Sequence, residues 1–472
     1  GIPTRERNNE ERPRVDNPGD PPNDLAGIVP NRRVRDVFKA DDKSIEESRK
    51  VGFTLSHVVP RGQMLPGKGA LILLNDGETD AIILKEDVSL FAQFSGARGM
   101  YPTTVIAVMA KWRDLYRQAM YKKQHQATFA SNGGGIERPR FDQATEAIFE
   151  VIDGLPVFFN AWNSNYMHQA YHLADELGFN LILGETKQAF RLTDKVRAAG
   201  KPVVVSLDLP EDKSEKAKKK KEDEEEKKKE LTASEKEKAA LAERRQTSLK
   251  EHYSQAAMLA RAGVPIAFST INAKAKDVPA NLRTMVENGL SEDAALAALT
   301  TAPAELFGIS AYAGTVSPGK LANLVVSTKP YFSEDAQVRY VFVEGTLHEY
   351  EVKKEKKKGA TSDEATPSNL NIAGVWSYEV EIPGQVQTGI ITISGSDGDF
   401  SGEIKSDEDD EVTDINGILL NGNILSFTMD MDGGGQSMTL EFELELDGDS
   451  YEGEVSVGEF GTFPISGSKI PE

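Results

Sequence analysis

The hydrophobic pattern changes rhythm along the chain. Between residues 153 and 270, short β-rich runs at 155–159, 180–183, 202–209 and 264–270 alternate with helical periods at 167–177 and 187–199. This alternation predicts parallel βα units, and closure into a barrel buries both faces of every strand. Upstream, the pattern predicts a helix at 42–50, a strand at 53–59, a glycine turn and strand at 64–74, a hairpin at 80–94 and a long helix at 103–121. Gly67 and Gly69 lack the spacing and the Lys-Ser/Thr ending of a phosphate loop, and 131–135 reads as a connector. Ser291 predicts an N-cap with Glu292 and Asp293 in the first turn, Pro303 interrupts the helix, Gly308 ends it, and 321–326 returns as a strand. Beyond residue 367 the rhythm becomes apolar–polar alternation at 389–394, 424–429, 437–446 and 451–457, separated by Asp-Gly, Asn-Gly and Gly-Asp turns. That pattern predicts a meander of about eight strands, closing as a small barrel or sandwich.

Three stretches lack apolar periodicity: 1–35 reads as an extended arm, 211–246 as a charged insertion, and 351–369 as a linker. In the insertion, acids interleave with Lys218–Lys221 and their neighbours at helical spacing, the pattern of a solvated helix or a disordered excursion. The formal charge of −20 over 472 residues argues against nucleic acid. No apolar run of about 18 residues exists to span a membrane. The chain has no cysteine, which removes disulfides, thiolate zinc sites and cysteine nucleophiles, and a Gly-x-Ser-x-Gly elbow is also missing.

The stretch Asn288-Gly-Leu-Ser-Glu-Asp-Ala-Ala-Leu-Ala-Ala-Leu-Thr-Thr-Ala-Pro-Ala-Glu-Leu-Phe-Gly308, followed by Gly314-Thr-Val-Ser-Pro-Gly-Lys-Leu-Ala-Asn-Leu-Val-Val326 and Val341-Phe-Val-Glu-Gly345, resembles the closing segment of the amidohydrolase superfamily, in its imidazolonepropionase-like and prolidase-like branch. Gly374-Val-Trp376 resembles the opening of lipocalin-like barrels. The resemblance implies an α/β fold: a TIM-like (β/α)8 barrel over 36–310, its first strand missing from this chain, small β-sandwich strands over 311–350, and a C-terminal all-β barrel over 370–472.

The superfamily binds one or two divalent metals at the strand ends, and the metal acidifies a water that attacks an amide or ester carbonyl. By the same resemblance, Pro156-Val-Phe-Phe-Asn-Ala161 aligns with strand 5 and puts Asn160 at a histidine position. Leu181-Ile-Leu-Gly-Glu-Thr186 aligns with strand 6 and puts Gly184, or Glu185, at another. Pro265-Ile-Ala-Phe-Ser-Thr-Ile-Asn272 aligns with strand 8 and puts Ile271 at the aspartate. The implied barrel is therefore degenerate, with no cofactor in this chain and zinc or a similar divalent metal in a catalytic partner. His168 and His172, with Glu176 one turn on, share a helix face at metal-ligand spacing, but Gln169 replaces the glutamate of a His-Glu-x-x-His motif and the helix belongs to the outer ring.

The resemblance is nearest to the first half of secreted, tandem amidohydrolases of the Bacteroidetes type. It implies a non-catalytic half, in the periplasm or at the cell surface, beside a half that hydrolyses a non-peptide C–N bond or a proline-type dipeptide. The start at Gly1, without methionine, leads us to expect a separate N-terminal fragment that completes the barrel and the sandwich by strand addition. Two alternatives stay open: an active metal-dependent enzyme completed by that fragment together with Glu185, and a binding module built on the C-terminal barrel. The acidic run Asp407-Glu-Asp-Asp-Glu411 lacks the spacing of an EF-hand.

Overall fold

A computed structural model describes residues 15–210, 233–352, 372–382, 385–396, 399–407, 412–433, 436–457 and 461–470. The chain divides into two units, Gly1–Glu355 and Lys356–Glu472.

The first unit is built on a seven-stranded sheet whose spatial order follows the sequence: β1 (Leu55–Val58), β2 (Gly67–Leu73), β3 (Ile83–Gln93), β4 (Val157–Asn160), β5 (Leu181–Thr186), β6 (Val203–Ser206) and β7 (Ile266–Ser269). β1, β2 and β3 pair antiparallel, while β3 to β7 are parallel. Among the described residues the sheet is a half-barrel with five parallel strands, consistent with the TIM-like domain expected from the sequence. Two short helices, α1 (Lys43–Lys50) and α2 (Thr79–Ile82), bury Ile45 and Ile82 with the small sheet; α3 (Val105–Ser131), α4 (Gln143–Ile152), α5 (Ser164–Leu177), α6 (Thr193–Ala199), α7 (Ala233–Arg261), α8 (Val278–Glu287) and α9 (Glu292–Leu299) cover the convex face, and α10 (Thr301–Leu306) ends on the concave one. Strand residues Leu90, Val157, Phe159, Leu183 and Val205 pack outward against Trp112, Met167, Leu173 and Leu259 of that layer. Their neighbours Phe91, Phe158, Ile182, Val204 and Ala267 point the other way, into the concave face.

Local signals set several boundaries. Asn163 caps α5 by accepting from Tyr166 N at 2.8 Å, and Gly178 ends it at φ 81°. Ser291 caps α9, accepting from Ala294 N at 3.3 Å. The break comes at Thr300 rather than at Pro303, because α10 restarts there and leaves the proline in its first turn, where a missing N–H costs no helical bond. The expected hairpin at 80–94 is instead the single turn α2 followed by one long strand. Asp87 has φ 49° and bends β3 at a bulge without reversing it, held there by Arg33 at 3.2 Å and Lys68 at 3.4 Å. Gly67 and Gly69 lie inside β2, not in a turn. Of the expected arm, residues 15–35 are packed down: Ala26 and Ile28 are buried, and Ile28 bridges Leu65. Val34 is buried as well, and these few apolar residues stand among too many polar ones to give a periodic signal. Residues 1–14 and 211–232 lie outside the described residues, and 233–246 form the start of α7.

A three-stranded sheet, β10 (Thr346–Glu349), β9 (Val338–Val343) and β8 (Leu324–Ser327), completes the first unit. Val341 and Val343 on its inner face are buried against Val58, Ala70 and Ile72 of β1 and β2, which makes the small sandwich. The second unit is a closed antiparallel barrel of eight strands running from β11 (Gly374–Ile382) to β18 (Gly461–Ile470). Its interior is filled by Trp376, Ile391, Phe427, Phe442, Leu444 and their neighbours, and Trp376 Nε1 donates to Ile372 O at 3.0 Å. Of the acidic run that begins at Asp407, residues 408–411 lie outside the described residues.

His57 of β1 fills part of the concave face. Its Nε2 lies 3.0 Å from Ser89 Oγ, its ring stands 4.5 Å from that of Phe307, and Gly69 is required opposite because a Cβ there would come within 2.4 Å of Nε2. Burial pushes the imidazole pKa down from 6.5 to about 3. Below pH 6.5 the unfolded chain takes up a proton that the folded chain refuses, so stability is full above that pH and falls as pH drops toward 3. The slope from this group is at most about 1.4 kcal/mol per pH unit. Urea midpoints at mildly acidic and neutral pH are expected to differ less in His57→Leu than in the parent, and equal pH slopes would contradict this account.

Candidate active site

In half-barrels, as in whole ones, loops converge at the carboxyl ends of the parallel strands. Here the concave face is built in two layers. The lower is apolar: Phe91, Phe158, Ile182, Val204 and Ala267, packed from the open side by Val59, Ile271 and Leu306. Two residues further along each strand comes a polar layer, with Gln93 beside Asn160, Asn160 beside Gly184, and Ser206 beside Ser269.

Gly184 contributes no side chain, and the ring of Phe158 lies where one would be: a Cβ on Gly184 would come within 2.0 Å of Phe158 Cε1. Glu185 takes its place. The β5–β6 pairing slips between Leu183 and Thr186, Glu185 adopts φ 54°, and its carboxylate enters the layer fully buried. Ser206 Oγ donates to Glu185 Oε1 at 2.6 Å, and Asn272 Nδ2 donates to the same oxygen at 3.0 Å. Oε2 has no partner, nor has Asn160 Oδ1, whereas Asn160 Nδ2 faces Gln93 Oε1 at 3.5 Å. Gln93 in turn donates from Nε2 to the carbonyls of Gly62 and Gly62's neighbour Gln63, at 2.7 and 2.8 Å. Lys187 and Asp208 form an ion pair at the rim.

The residue set does not fit a catalytic transition metal. Asn160 is a poor ligand, the Gly184 position is sterically filled, and Ile271 belongs to the apolar packing. Among the described residues no three of the types His, Cys, Asp and Glu come together as a metal-holding group. His168 and His172 lie on the outer helix α5. Glu176 there accepts from Arg113 Nε at 2.8 Å and from Arg117 Nη2 at 3.2 Å, and the Arg113 hydrogen bond holds its carboxyl below the usual range. The histidine pair and the strand ends are thus separate places. Sequence reasoning brought Asn160, Gly184, Glu185 and Ile271 to one region, and missed Gln93, Ser206, Ser269 and Asn272. The signal for Gln93, Ser206 and Ser269 was their offset of two from inward apolar residues at the strand ends.

Residues 182–348, from β5 to β10, match the amidohydrolase family model. The fold of the first unit is that of an amidohydrolase from Thermotoga maritima MSB8, at 22% identity and a TM-score of 0.55 over 68% of this chain and 78% of that one. A Xaa-Pro dipeptidase with bound methionine matches at 19% identity over 45% of this chain and 50% of its own, with a TM-score of 0.29, and a prolidase complexed with N-methylphosphonate-L-proline at 19% over 46% and 51%, with 0.30. No curated protein matches the sequence.

Gly184→Ala is expected to cost roughly 3 kcal/mol by overpacking, and most of that cost is expected to vanish in a Phe158→Leu background. Denaturant titration of the four members of this cycle measures it, and a single-site loss below about 0.5 kcal/mol would rule out the steric account.

Proposed function

We propose that this chain is a non-catalytic half of a metal-dependent hydrolase assembly, and that it supports or positions a catalytic amidohydrolase partner in the periplasm or at the cell surface. The observation that carries the reading is the triple loss at one rim: an amide at Asn160, the Phe158 ring in the space beside Gly184, and the Ile271 side chain against the apolar layer. None of the three positions Asn160, Gly184 and Ile271 supplies an imidazole or a carboxylate to hold a metal or to take a proton from a bound water. The substrate class, a non-peptide C–N bond or a proline-type dipeptide, belongs to the partner in this reading.

Two surfaces support the partner. Among the described residues the parallel sheet ends at β7 with no strand beyond it, and β8 and β10 end the small sheet on either side. The outer face of that small sheet carries Leu324, Phe342 and Leu347 in one cross-strand row, with Val326 beside Tyr340 in the next. Leu347 is 51% exposed and Val326 45%. In our proposal a fragment or chain of amidohydrolase type covers this face and extends the open sheet.

Metal content measured on the native particle, with each chain's mass determined alongside, tests the proposal. We expect this chain to be metal-free after separation, with about one or two zinc equivalents on a companion chain. Zinc that stays with this chain, and hydrolytic activity of the isolated chain abolished by a chelator, would support the active alternative and overturn the proposal.

A further inference from the structure

The polar layer at the strand ends holds two acceptor oxygens that the chain itself leaves without donors. Glu185 Oε2 and Asn160 Oδ1 are both buried and unpartnered, and they sit on neighbouring strand ends, since Asn160 pairs in register with Gly184. A buried carboxylate oxygen with nothing to accept from is costly, and buried polar groups are as a rule satisfied. The surrounding bonds aim these two atoms at the same layer. Ser206 and Asn272 both fix Oε1 of Glu185, which leaves Oε2 as its open edge. Gln93 spends its amide hydrogens on two backbone carbonyls and turns its Oε1 toward Asn160 Nδ2, which leaves Oδ1 as the open edge of the asparagine. Glu185 is also held at φ 54°, a backbone region that L residues avoid and that persists where the surroundings impose it.

We infer that this layer binds one monovalent cation, either an alkali ion or the ammonium group of a small molecule, between Glu185 Oε2 and Asn160 Oδ1. The inference rests on the reading that no catalytic metal occupies the rim. The chemistry of the donors selects the class of ligand. The two open donors are hard oxygens, one of a carboxylate and one of a side-chain amide, with no nitrogen or sulfur ligand for a softer transition metal. They carry a single negative charge, and the nearby Lys187 is engaged by Asp208. A divalent ion would leave one positive charge uncompensated in a buried site, whereas a monovalent cation balances Glu185.

Thermal unfolding of the full chain in potassium, sodium and methylammonium chloride, each against tetramethylammonium chloride at equal ionic strength, tests this. Tetramethylammonium is much larger than either alkali ion and has no N–H to donate. At least one of the three small cations is expected to raise the midpoint by about 2 °C or more. A response to potassium or sodium identifies an inorganic ion, and a response to methylammonium alone identifies an organic ammonium. Glu185→Gln supplies its own N–H donors in place of the cation, and is expected to abolish the salt-specific shift. If that variant does not fold, Asn160→Leu reads the same loss. Equal midpoints of the parent protein in all four salts would overturn the inference, as would a shift that survives in both variants. A chelator arm separates this result from the metal-free reading: a midpoint lowered by chelator in every salt defeats that reading, while chelator indifference with no monovalent response defeats only the cation site.

Discussion

Every parallel strand has two faces to bury, and an open half-barrel has only one ring of helices with which to bury them. In this protein the convex face meets that ring, and the concave face must find cover from elements that lie elsewhere in the chain. His57 and Val59 arrive from β1 and the turn beyond it, Leu306 and Phe307 from the end of α10, and Ile271 from the loop after β7. The apolar layer exists because these side chains close it. In this closure Ile271 is a packing residue.

The apolar layer also fixes the level of the polar one. Once Phe158 lies over Gly184, the next side chain able to enter from β5 is Glu185, and it reaches inward only because the strand slips and the backbone turns to positive φ. The strand ends therefore present amides, hydroxyls and one carboxylate. Chemistry at such a rim depends on which atoms converge there, and fold similarity alone does not supply them.

Much of the architecture was legible in residue order. Asn163, Gly178, Ser291 and Gly308 mark helix ends by the side-chain and backbone physics of capping, and the barrel strands announced themselves by alternation between Gly and Asp turns. What was not legible had a tertiary cause. The bend at Asp87 looked like a reversal, because a turn-forming residue in an apolar run gives the same local signal whether the strand folds back or merely kinks. The inward turn of Glu185 is invisible in sequence, since nothing about glutamate favours a left-handed backbone. Gln93 was hidden by the mistaken hairpin, and Ala26, Ile28 and Val34 by lying in a stretch dominated by polar residues.

Arg49 is nearly buried and spans the first unit from end to end. Its Nε donates to Tyr350 Oη at 2.8 Å across 301 positions of sequence, while Nη1 donates to Leu74 O and Asp76 Oδ1, each at 3.1 Å. The beginning and the end of the unit are thus clasped by one guanidinium. A single proteolytic nick between them would yield two polypeptides on a denaturing gel and one particle in native solution.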